Sequence, residues 1–104
     1  MAGITVDTGD LNVSDYESIT VADSAIGFTA AKIQAAKVKG VFCTVETAQI
    51  RFRMDGTSPT SAEGHVLDPG QTLTIINQGT LANTEFIRTG STSGVLKVTY
   101  LKES

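Results

Sequence analysis

A chain of 104 residues, 40% hydrophobic and 18% charged, is long enough for one hydrophobic core and too short for two. That balance excludes an intrinsically disordered chain, and no apolar run approaches the 18 residues needed to cross a bilayer. The net charge of −3 divides unevenly. Residues 1–31 carry Asp7, Asp10, Asp15, Glu17 and Asp23 with no Lys or Arg, whereas residues 32–104 carry eight basic and six acidic side chains. No dense basic stripe exists, so nucleic acid is not an expected partner.

The N-terminus, MAGITVDTGD, has neither the basic nor the apolar region of a signal peptide. Residues 1–16 scatter Ile4, Val6, Leu11 and Val13 among polar residues without a sustained period. Two readings fit: an extended arm that orders against a partner subunit, or an edge strand of the protein's own sheet through Ile4–Thr8. With the arm taken as residues 1–16, the folded domain is 17–104.

Glu17–Ala22 is the first convincing strand. From Ala25 to Lys39 helix formers accumulate, and Ile33 and Ala36 share a helical face. The surrounding β pattern favours extended structure there, with a short helix as the alternative. Lys39–Glu46 is nearly continuous in β-formers, as in a strand with contacts on both faces. Glu46-Thr47-Ala48 is short enough for a tight hairpin into Gln49–Met54. In that strand Ile50, Phe52 and Met54 alternate with Gln49, Arg51 and Arg53, the period of a half-buried strand.

Asp55-Gly56 ends the strand and Thr57–Glu63 forms a polar loop. The chain recovers at His65-Val66-Leu67 and turns at Asp68-Pro69-Gly70, a sequence suited to a type II turn. Gln71–Ile76 alternates again, Asn77-Gln78-Gly79 supplies a turn, and Leu81 restarts the chain. Glu85–Thr89 and Val95–Leu101 close it, with Leu96, Val98 and Tyr100 on one face. Short strands at this spacing predict an all-β, single-domain antiparallel β-sandwich or barrel, the jelly roll among its forms. Ile50, Phe52, Val45, Leu73, Ile75 and Val98 should be buried.

The catalytic inventory is thin. Cys43 is the only cysteine and His65 the only histidine, so no intrachain disulfide and no four-ligand zinc site of the usual type can be built. Glu46, Asp55, Glu63 and Asp68 lie at turns, where acids bond to backbone. No catalytic residue, metal ligand or cofactor site is assigned. Cys43 is expected to be a small buried hydrophobe. Arg51 and Arg53, on one strand face, are candidates for an acidic partner, with cross-strand pairing to Glu46 or Glu85 as the alternative.

Ile50-Arg51-x-Arg53-x-Asp55-Gly56, then Pro59-Thr60, Gly64-His65 and Pro69-Gly70, make a distinctive pattern. Over roughly the C-terminal two-thirds, this pattern resembles small structural proteins of tailed bacteriophages and prophages. The resemblance implies a non-enzymatic virion subunit made in the host cytoplasm, of the head decoration or cement type or fitted at the neck or tail. It implies a partner in the capsid or a neighbouring virion protein, and a homo-oligomer, a trimer included. Ile4, Val6, Leu11, Val13, Arg51 and Arg53 are the candidate interface residues. A glycan- or receptor-binding module is the competing class.

Overall fold

A computed structural model of the chain describes residues 10–104. Among these residues eight strands form two four-stranded antiparallel sheets stacked as a sandwich. The first sheet has the order β1 (Asn12–Val21), β8 (Gly94–Lys102), β3 (Val38–Glu46), β6 (Thr72–Ile76). The second has the order β2 (Ile26–Gly27), β7 (Glu85–Arg88), β4 (Ile50–Arg53), β5 (His65–Leu67). Two short helices, α1 (Ala30–Ile33) and α2 (Gln78–Asn83), lie in the connections.

The alternation read from the sequence puts the core between the sheets. Leu96, Val98 and Tyr100 of β8 and Val41, Cys43 and Val45 of β3 point inward from the first sheet. Ile50, Phe52, Leu67 and Phe86 meet them from the second. Leu73 is only partly covered, and Met54 is 39% exposed rather than buried as its place in the alternation suggests. Met54 lies one residue past the end of β4, where the chain is already turning and the pleat no longer sets its direction.

Every connection except β4–β5 carries the chain from one sheet to the other. The expected hairpin at Glu46-Thr47-Ala48 is therefore a sheet-switching arch, since β3 and β4 are not paired. Its tightness comes from Thr47 at φ 78°, with the Ala48 N–H donating to the Glu46 carbonyl at 2.9 Å. That is a γ-turn of the strained hand, carried by a β-branched residue. Asp68-Pro69-Gly70 is the expected turn: Gly70 has φ 91° and the Gln71 N–H donates to the Asp68 carbonyl at 3.0 Å. It too joins the sheets, bridging β5 to β6.

The segment Ala25–Lys39 is not extended throughout. It holds the two residues of β2, then α1, which begins where the Thr29 carbonyl accepts from the Lys32 and Ile33 N–H groups. The helix brings Ile33 into the core as the chain crosses between sheets. Asn77-Gln78-Gly79 is a helix start rather than a turn. Asn77 caps α2 by accepting from the Thr80 N–H at 2.9 Å, and Leu81 is buried beneath it.

Among the described residues the first strand begins at Asn12, so residues 12–16 are paired to β8 as part of strand β1 rather than free as an arm. The strand shifts register between Val13 and Asp15, a bulge that lengthens it past the break in hydrophobic pattern. Ile4–Thr8 lies outside the described residues.

Candidate assembly surface

The candidate interface residues do not form one site. Ile4 and Val6 lie outside the described residues. Leu11 is partly covered and Val13 is exposed on the first sheet, whereas Arg51 and Arg53 lie on the second.

Both arginines are engaged locally, and neither pairs with Glu46 or Glu85. Arg51 donates from Nη1 to the Gly64 carbonyl at 2.7 Å and from Nε to the Ser61 carbonyl at 3.2 Å. Arg53 makes a two-point pair with Asp55, which raises the guanidinium pKa and lowers that of the carboxyl. Ser58 Oγ donates to Glu85 at 2.5 Å, and Pro59 is buried. The Thr57–Gly64 loop is thereby held over the outer face of the second sheet.

Among the described residues no such loop is bonded over the first sheet. Its outer face forms four cross-strand rows, read from the register. They are Val13–Leu101–Gly40–Ile76, Tyr16–Thr99–Phe42–Thr74, Ser18–Lys97–Thr44–Thr72 and Thr20–Val95–Glu46. Val13, Tyr16 and Ile76 are 66%, 56% and 46% exposed. Leu101 is buried on this same outer side and stands apart from the central core cluster. Leu11 approaches the first row: its Cδ1 is 3.3 Å from where a Cβ on Gly40 would stand. Among these fifteen positions only Lys97 and Glu46 are charged. Aliphatic and aromatic groups at one end and threonines at the other make a surface poor in charge, the composition of an interface centre.

The edge beside this face is partly blunted. Asp15, at the bulge, accepts from the Tyr16 N–H at 2.7 Å and pairs with Lys32, whose ammonium lowers its pKa. A bulge and a charged side chain at an edge discourage strand addition.

A second feature lies at the opposite edge, between β5 and β6. An open groove of about 580 Å³ is lined by Phe52, Met54, His65, Val66 and Leu73, with the Gly70–Thr72 turn at one end. His65 packs on Phe52 with ring centroids 5.2 Å apart.

Two ionisable side chains are buried on the inner side of the first sheet. Burial pushes the Cys43 thiol up to about 12. Tyr100 is raised further by burial and by donating its hydroxyl hydrogen to Glu17. Cys43 should accordingly resist thiol reagents in the native protein and react only in denaturant. Native labelling as fast as in urea would contradict this placement.

Both groups keep their protons in the fold at pH values where the unfolded chain loses them. Their contribution is complete below the unfolded values of 9.0 and 10.0 and is lost as pH rises past them. Stability should fall by about 1–2 kcal/mol between about pH 8 and about pH 10, read from urea midpoints. Cys43→Ala should flatten that slope.

Among the described residues no group of three or more His, Cys, Asp and Glu could hold a metal ion. No described helix is long and apolar enough to cross a membrane. Compared with protein-family models, curated proteins and solved structures, the chain matches none.

Proposed function

We propose that the protein is a non-enzymatic structural subunit of a bacteriophage virion. Its role is that of a capsid decoration or stabilising protein, or of another head, neck or tail accessory. The observation that carries this reading is the asymmetry of the sandwich: a loop is bonded over one outer face, while among the described residues none is bonded over the other, which is nearly uncharged and set with exposed Val13, Tyr16 and Ile76. A surface of that composition serves to be covered by another protein. The phage-like pattern from Ile50 to Gly70 supplies the setting, a virion assembled in the host cytoplasm. The acidic N-terminal segment, with Ile4 and Val6, is a further contact to the capsid or a sister subunit, strengthened by repetition over the particle.

The test is co-sedimentation of the purified protein, full-length and lacking residues 1–9, with capsids of the source phage. Full-length protein should pellet at a fixed ratio to capsid subunits, and truncation should weaken binding. Failure of the full-length protein to pellet with capsids, virions or tails would remove the virion reading. The groove at Phe52, Met54, His65 and Leu73 favours the second reading, a glycan- or receptor-binding module, which saturable binding to host-surface glycans would support.

A further inference from the structure

We propose that the open edge of β6, with the groove beside it, takes the segment Ile4–Thr8 of a sister copy as an added strand. This rests on reading the N-terminal segment as a contact to a sister subunit, though not on which particle the protein joins.

Three observations select the edge. The first is the strand itself. Among the described strands at sheet edges, β1 is blunted by its bulge and Asp15, and β2 and β5 have only two and three residues. β6 has five, Thr72-Leu73-Thr74-Ile75-Ile76, with no charge, no proline and no register shift against β3. An edge lacking those protections is a template for a further strand.

The second is the backbone. Val45 on β3 donates its N–H to the Gln71 carbonyl at 3.2 Å and accepts from the Gly70 N–H at 2.8 Å. Alternation from there turns Leu73 and Ile75 into the β3 ladder. The N–H and C=O groups of Thr72, Thr74 and Ile76 are left directed at the open edge, and no described residue bonds to them.

The third is the groove on the inner side of the same edge. β5 is too short to cover β6, so Leu73 is only partly buried and Met54 stays exposed. A strand added to β6 sets alternate side chains into this groove, beside Leu73 and Phe52. Main-chain bonds together with pockets for alternate residues are how a sheet edge recognises an extended segment.

Pattern and reach identify the occupant. Ile4-Thr5-Val6-Asp7-Thr8 matches β6 in length and sets Ile4 and Val6 on one face, Thr5 and Asp7 on the other. The apolar face suits the groove and the polar face suits water. Its own copy cannot deliver it. A strand beyond β6 lies four strand spacings from β1, about 19 Å. Thr8 is four residues from Asn12, about 14 Å at full extension, and Asp10 at φ 65° shortens that path. The segment therefore comes from another copy.

The experiment has two arms. In the first, Thr5→Cys and Thr74→Cys are made in separate chains on a Cys43→Ala background, mixed, and treated with a short bis-maleimide. Linked pairs of twice 10.9 kDa should form at least about tenfold faster in the mixture than in either protein alone. In the second, analytical ultracentrifugation compares the full chain with Thr74→Pro and Val6→Asp. Proline removes the outward N–H and leaves the β3 ladder intact, as an edge strand permits. Wild type should exceed 10.9 kDa at high concentration, and both variants should weaken association by at least about tenfold. Circular dichroism checks folding. Val6→Asp alters the segment and not the sheet, so it keeps the test decisive should the proline variant unfold.

A wild type that stays at 10.9 kDa throughout overturns the inference, as does association that both variants retain. So does a chain carrying both cysteines that links only to itself, since the segment then covers its own copy. If the wild type is monomeric but Thr74→Pro abolishes capsid co-sedimentation, the edge takes a capsid strand; the inference is then wrong and the virion reading survives. Linked pairs and association lost in the variants, with no capsid binding by the wild type, uphold the inference and remove the virion reading.

Discussion

Replacing Phe86 by alanine should lower the unfolding free energy by about 3–5 kcal/mol, a large share of the 5–15 kcal/mol typical of a small domain. Phe86 has no exposed surface and stands at the centre of the aromatic cluster. Its ring meets Phe28 edge-on at 5.3 Å and Phe52 at 6.1 Å, and Phe28 in turn meets Tyr100 at 6.2 Å. Truncation removes the buried ring and two aromatic contacts, the latter worth about 0.5–1.5 kcal/mol each. The cavity cannot readily collapse, because β7 is paired on both sides, to β2 and to β4. Phe52→Ala should cost less, near the lower end of that range, since Phe52 borders the open groove where neighbours can settle inward. Urea unfolding of the two variants checks the order. If Phe52→Ala proves the costlier change, the centre of the core has been misplaced.

Gly94→Ala should be the most damaging single-methyl change among the described glycines, destabilising by about 2–3 kcal/mol. A Cβ there would stand 2.6 Å from Ile50 Cγ2 and 2.9 Å from the Ala48 carbonyl oxygen. Neither neighbour yields easily: Ile50 is fully buried and Ala48 belongs to the strained arch between β3 and β4. Gly94 opens β8 opposite Val21, at the end of the sandwich where that arch closes over the sheets. Gly90→Ala, with nothing within 4 Å, is the control and should change stability by less than about 0.5 kcal/mol. Similar urea midpoints for the two variants would show that the arch does not pack against β8 as described.

The local pattern of the chain was legible wherever burial follows the pleat. Ile50 and Phe52 face the core, Leu96, Val98 and Tyr100 do so together, and Cys43 is buried in β3. Gly56 and Gly70 adopt the positive φ that their turns require. Helix α2 was legible in principle, through Asn77 as an N-cap before Leu81, but six residues give too little periodicity to outweigh a turn-like Asn-Gln-Gly. Arg51 and Arg53 illustrate the opposite case. Strand alternation puts them on one outer face, yet only the path of the Thr57–Gly64 loop decides that Arg51 is taken by backbone carbonyls rather than left for a partner.

By itself the sequence determined the class of the fold, the main strands and most of the side chains that line the core, because period-two burial is a local property of each strand. Tertiary structure alone decided which strands share a sheet. A hairpin and an arch between sheets leave the same inward and outward alternation, so Glu46-Thr47-Ala48 could not reveal that β3 and β4 part company. The charge-poor outer face of the first sheet was likewise invisible, because Tyr16, Phe42, Thr74 and Thr99 come from four strands and become neighbours only when β1, β8, β3 and β6 align.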